Sequence, residues 1–87
     1  SRKYDVLLAG YYGFGNLGDE LLAEACLSLL ERCGVSKERI AILSASSKET
    51  GKRLGVDAYD RWALCEVLVG MKNSNTMLFG GGGALAR

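Results

Sequence analysis

Gly10-Tyr11-Tyr12-Gly13-Phe14-Gly15-Asn16-Leu17-Gly18-Asp19-Glu20 lies between an apolar, strand-length segment, Tyr4 to Ala9, and a helical pattern running from Asp19 to Cys33. Its four glycines, Gly10, Gly13, Gly15 and Gly18, fall within nine positions, so the backbone can take positive φ and approach a ligand without Cβ interference. Strand, glycine-rich turn and helix start, in that order, commonly bind anions. The unit points to an α/β fold.

The spacing Gly13-x-Gly15-x-x-Gly18 fits the dinucleotide fingerprint in form. Three features count against that ligand. Tyr11 and Tyr12 separate the strand-end Gly10 from the first fingerprint glycine. Asp19 and Glu20 follow the last one, and carboxylates in a first helical turn suit the helix dipole but repel a pyrophosphate placed there. The ribose-binding acid expected roughly 20 residues on, at the end of the second strand, is replaced by Ser44-Ala45-Ser46-Ser47-Lys48. An NADP-type site built on Ser and Lys is the dinucleotide alternative that survives.

Beyond the loop, Leu21, Leu22, Ala25, Cys26, Leu29 and Leu30 recur at helical spacing and predict the buried stripe of the first helix. Asn16 or Asp19 caps its start, since either side chain accepts from free backbone N–H groups, and Gly34 suits the left-handed position that ends it. Ile40-Ala41-Ile42-Leu43, apolar throughout, predicts a parallel strand covered on both faces. Ser46-x-x-Glu49 has the form of a capping box opening a short helix, weakened by Gly51 and closed by Gly55. Val56 to Tyr59 predicts a brief third strand. Asp60 is the expected cap of a helix with Trp62 packed at its beginning and Leu64, Val67, Leu68 and Met71 buried. Asn73-Ser74-Asn75 reads as a turn, and Thr76 to Phe79 as a fourth strand running into Gly80-Gly81-Gly82-Gly83.

Strands alternating with helices predict a Rossmann-like, doubly wound parallel sheet with right-handed crossovers and strand order 3-2-1-4. In that order the loops after strands 1 and 4 meet at the switch point, so both glycine-rich loops face one crevice. With 87 residues the chain is at most one small domain. The formal charge is +1, with acids and bases interspersed, which argues against a nucleic-acid partner. No apolar run is long enough to span a bilayer. Three cysteines without Cys-x-x-Cys spacing, and no histidine, argue against a metal site. Cys26 and Cys33 would stand about 10 Å apart along one helix, beyond disulfide reach. Free thiols and a cytoplasmic location are the expectation.

The loop, the Leu/Ala-rich helix, Lys52-Arg53-Leu54-Gly55-Val56-Asp57-Ala58-Tyr59-Asp60-Arg61, and Phe79 followed by Gly80 to Gly83 together resemble the N-terminal part of polysaccharide pyruvyl transferases. The resemblance spans nearly the whole chain; at its end, Ala84-Leu85-Ala86-Arg87 stands where the family usually has Leu and then Gln or Asp. It implies a truncated N-terminal half of a GT-B-like architecture, residues 1–87 being a partial Rossmann-like domain of a larger two-domain enzyme. The implied reaction moves the enolpyruvyl carbons of phosphoenolpyruvate onto two hydroxyls of a sugar in a cell-surface polysaccharide, giving a cyclic ketal and phosphate, with no cofactor.

Such chemistry needs a cationic clamp, an acid for the methylene carbon and a base for the hydroxyl. The basic residues are scattered away from the two loops except for Arg87, so the resemblance places the basic catalytic groups downstream. Within this stretch Asp19 is the candidate catalytic residue, or else only a cap. Tyr11, Tyr12, Gly13, Gly15, Asn16, Gly18, Glu20, Gly80, Gly81, Gly82 and Gly83 are the candidate substrate contacts. Tyr11 and Tyr12 either stack on a sugar or pack on the sheet edge, and Glu20 is otherwise a solvated first-turn acid. Three other readings fit the pattern: the acceptor domain of a GT-B glycosyltransferase, a non-catalytic nucleotide- or anion-binding module, and a structural interaction domain with no site. The fourth strand has an open edge on this reading, and self-association of the fragment is expected.

Overall fold

The computed structural model describes residues 2–10 and 12–80. The chain is α/β, with strands β1 (Tyr4–Ala9), β2 (Ile40–Ser44), β3 (Asp57–Asp60) and β4 (Ser74–Phe79), and helices α1 (Leu17–Arg32), α2 (Ser47–Leu54) and α3 (Leu64–Lys72). A 3-10 turn, Lys37–Arg39, leads into β2. The four strands form one parallel sheet in the order β3-β2-β1-β4, as the alternation of elements predicts.

The two central strands carry the core. Val6, Leu8, Ile40 and Ile42 pack with Tyr12, Ala23, Leu27, Leu54 and Val56 on one face, where α1 and α2 lie. Leu7, Ala9, Ala41 and Leu43 pack with Tyr4, Tyr59, Val67 and Met77 on the other, under α3. Each fully buried Leu or Ile contributes about 1.5–3 kcal/mol relative to exposure, and both faces of β1 and β2 draw on it. Tyr4 adds a polar tie. Its buried hydroxyl donates to Asp57 Oδ2 at 2.5 Å and lies 3.1 Å from Tyr59 Oη, linking β1 to β3 across β2. Burial first, then the Asp57 hydrogen bond, raises this phenol far above its ordinary value, so it remains the donor.

Several local expectations are corrected. The buried face of α1 is Ala23, Cys26, Leu27 and Leu30, while Leu21 and Leu29 are more than half exposed. The helix is apolar on more than one side, and the sheet selects the side where the small Ala23 allows close approach. Ser46 forms no capping-box bond; its hydroxyl donates instead to Gly13 O at 2.8 Å. Gly51 does more than weaken α2, because a Cβ there would stand 3.2 Å from Val56 O and 3.3 Å from Ala58 Cβ. Gly55, at φ +72, ends that helix as expected.

The third strand is displaced by one residue, to Asp57–Asp60, and α3 begins after Ala63, not at an Asp60 cap. Asp60 Oδ1 accepts from Trp62 N–H at 2.9 Å in a local turn, and Trp62 is exposed. Only Val67 and Gly70 of α3 face the sheet closely, the missing Gly70 side chain bringing the helix down onto Tyr59 and Leu7; Leu64, Leu68 and Met71 are exposed. The turn before β4 is Asn73 alone, since the strand begins at Ser74. Tyr4 N–H donates to Asn73 O at 2.8 Å and Tyr4 is in register with Ser74, so pairing with β1 begins as α3 ends.

Candidate functional site

The loop residues sit where they do because β1 and β4 end side by side, with Ala9 in register with Phe79. Gly80 N–H donates to Ala9 O at 3.0 Å. A Cβ on Gly10 would lie 2.1 Å from Gly80 O, so glycine is required for this backbone contact. The starts of the two glycine-rich loops therefore meet at the switch point.

From there the first loop departs from the expected course. It crosses the end of β2 and is fastened there: Tyr12 O accepts from Ala45 N–H at 3.0 Å, and Gly13 O accepts from Ser46 Oγ at 2.8 Å. Ser44 Oγ supports the crossing, accepting from Ser46 N–H at 2.9 Å and pairing with Thr50 Oγ1 at 2.6 Å. Gly13 takes φ +87 so that its backbone can lie against this segment.

Tyr12 lies in the core, as the packing alternative for it has it. Its hydroxyl is buried without a hydrogen-bond partner of good geometry among the described residues; Cys26 is its polar neighbour. Burial, then Cys26 and the Asp19 charge, push this phenol up, and burial pushes the Cys26 thiol up. Both stay neutral near pH 7.

Glu20 is more than a solvated first-turn acid. Its Oε2 accepts from Gly13 N–H at 2.8 Å and its Oε1 is paired with Arg53, which also binds Glu24. A carboxylate of the chain itself thus occupies the donor that an incoming anion would need. Gly13, Gly15, Glu20, Ser46 and Arg53 line a cleft of about 240 Å³ beside this pair.

The cap ambiguity resolves in favour of Asn16, whose Oδ1 accepts from Gly18 N–H at 2.9 Å and from Asp19 N–H at 3.4 Å. Asn16, Gly15 and Gly18 are exposed. Asp19 is half-buried in the first turn, and its carboxylate accepts no hydrogen bond and joins no ion pair among the described residues. Tyr11, Gly81, Gly82 and Gly83 lie outside the described residues. Of the expected site residues within the described range, Gly80 meets Gly10 at the junction of the two loops, Tyr12 packs in the core, Gly13 and Glu20 fasten the loop, Asn16 caps α1, Gly15 and Gly18 are exposed, and Asp19 has no hydrogen bond or ion pair among the described residues.

Three residues absent from the sequence reading of the site border the same loop. Arg61 donates to Gly10 O, and its guanidinium lies over the rings of Phe14 and Trp62. The sequence signal for them was an Arg-Trp pair immediately after a strand, in the position where α/β sheets place binding loops. Comparison of the chain with protein-family models, curated proteins and solved structures gave no match. Among the described residues, no helix is long and apolar enough to cross a membrane.

Proposed function

We propose that this chain is the N-terminal part of a pyruvyl transferase, moving the enolpyruvyl group of phosphoenolpyruvate onto a sugar hydroxyl pair as a ketal. The observation carrying the reading is the Gly10–Gly80 contact, which joins the two motifs of the sequence resemblance at the C-terminal ends of parallel strands. The acids in the first turn of α1, next to the loop, are consistent with it. Asp19 is available to take a proton from a sugar hydroxyl, whereas Glu20 is committed to the loop. The cationic clamp for phosphate and carboxylate comes from residues downstream, in the second half of a GT-B-like enzyme. A dinucleotide-binding module is the weaker reading, because Glu20 already holds the Gly13 N–H.

The test is phosphate release from phosphoenolpyruvate by the product of the complete reading frame. Release that depends on a polysaccharide acceptor is expected, and the 87 residues alone should release none. An intact protein that never consumes phosphoenolpyruvate would end the proposal.

The same reading includes self-association of the isolated chain through β4. β4 itself holds no charged residue and no proline, Arg2 being hydrogen-bonded to Ser74 O at its start, whereas the β3 edge begins and ends with Asp57 and Asp60, so β4 is the edge at which two copies meet with less repulsion. Asn75, Met77 and Phe79 alternate onto one face of it. In an antiparallel pair centred on Met77, Phe79 of each copy falls opposite Asn75 of the other, over a groove of about 240 Å³ lined by Met71, Asn75, Thr76 and Met77. Light scattering should show a dimer that Phe79→Lys converts to monomer. A wild-type monomer at high concentration rules the pairing out.

A further inference from the structure

Phe14 projects from the loop after β1 and Trp62 from the loop after β3, and their rings meet edge to face with centroids 6.0 Å apart. Both remain solvent-facing, 50% and 69% exposed. Single exposed apolar side chains are unremarkable. This pair differs because it is mounted. The Arg61 guanidinium carbon stands 5.2 Å from the Phe14 centroid and 5.3 Å from that of Trp62, within cation–π range of both. Arg61 itself is anchored by its side chain to Gly10 O and by its backbone N–H to Ser44 O at 3.0 Å. Trp62 N–H is held by Asp60 Oδ1, and Asp60 N–H by Glu66 Oε1, each at 2.9 Å. Two loops from different strands thus hold a rigid aromatic corner at the carboxyl end of the sheet, beside the glycine loop.

We propose that Phe14, Arg61 and Trp62 form a stacking platform for the pyranose ring of the sugar acceptor, an assignment that rests on the acceptor being a carbohydrate. An aromatic surface takes the apolar C–H face of such a ring. The guanidinium and the neighbouring carboxylates of Asp60 and Glu66 suit the hydroxyls at its rim. Those same carboxylates oppose a phosphate-bearing ligand such as a nucleotide, which would otherwise share the taste for flat aromatic surfaces. Rigid aromatic side chains also lose little freedom on binding.

Trp62 is the only tryptophan of the chain, so its emission reports the platform directly. Titration with methyl glycosides of glucose, galactose and mannose should give a saturable change for at least one, with a dissociation constant on the order of 1–10 mM, as suits a single stacked ring. Phe14→Ala should weaken that binding about tenfold, while Leu29→Ala, on the exposed face of α1 towards its C-terminal end, leaves it unchanged. In the complete enzyme Trp62→Ala should raise the acceptor KM with little change in kcat, the pattern of lost binding common to ground and transition states. Emission indifferent to every glycoside, or responding only to nucleosides, overturns the platform. So does an unchanged acceptor KM in a Trp62→Ala enzyme that still releases phosphate. Glycoside binding by a protein that never consumes phosphoenolpyruvate would leave the platform standing and remove the pyruvyl-transfer reading instead.

Discussion

Gly13→Ala is expected to lower the stability of the chain by about 3–5 kcal/mol, a large part of what a small domain possesses. Two separate costs combine. At φ +87 an L-residue adopts a left-handed backbone conformation, which costs roughly 1–2 kcal/mol. The new methyl would also stand 2.1 Å from Ser44 Oγ, 2.7 Å from Ser46 N and 2.8 Å from Ala45 N. Two of these contacts are backbone, so the loop itself must lift. Lifting it strains the Ser46–Gly13, Ala45–Tyr12 and Glu20–Gly13 hydrogen bonds together. Gly15 supplies the control: its φ is +79, but a Cβ there meets nothing within 4 Å. Gly15→Ala should therefore cost only the conformational part, about 1–2 kcal/mol. Urea midpoints at constant m measure the difference. Equal losses at the two positions would mean that the packing of the loop on β2 contributes nothing.

That contrast marks where the residues spoke plainly and where they did not. The apolar run Ile40 to Leu43 cannot sit on a solvated face, so its central place in a parallel sheet is legible, and the order β3-β2-β1-β4 follows from crossover rules. Gly55 as a helix stop is legible because Cβ-free residues dominate that conformation. The face of α1 is not: with leucines at 17, 21, 22, 27, 29 and 30, periodicity permits more than one stripe, and the sheet decides. Ser46 shows a second kind of failure. A serine three residues before a glutamate satisfies a local box or a distant carbonyl equally well, and the unpaired Gly13 O supplied the distant one.

The loop residues are hard to read for the same reason. Glycine spacing and adjacent acids suggest a cradle open to ligand, yet Glu20 reaches back seven residues to close it. Nothing local distinguishes such an acid from a solvated first-turn carboxylate, since the discriminating partner, Arg53, lies on another helix. Tyr12 belongs to the core because the loop bends over β2. Asp19 and Asn16 were indistinguishable as caps until their geometry fixed Asn16, and that choice alters what Asp19 is expected to do.

If the proposed pyruvyl transfer holds, Asp19→Ala in the full-length protein is expected to reduce turnover about 100-fold or more, the scale of a lost general acid or base, while stability falls by no more than about 1 kcal/mol. Stability should be insensitive because the cap is Asn16, leaving Asp19 only its favourable interaction with the helix dipole. Asp19→Asn sharpens the test, since it keeps the side-chain shape and removes the charge needed to accept a proton. On the proposed pyruvyl-transfer reading both variants should retain phosphoenolpyruvate binding, because that reading draws the cationic clamp from other residues. Glu20→Ala should behave in the opposite sense: it leaves Gly13 N–H and Arg53 without their shared acceptor and costs about 1–3 kcal/mol of stability. Thermal melts and steady-state kinetics on the same preparations separate the two residues. An Asp19→Asn enzyme with wild-type kcat would remove Asp19 from the reaction, and a melting temperature lowered as far as that of Glu20→Ala would make it a structural residue of the loop.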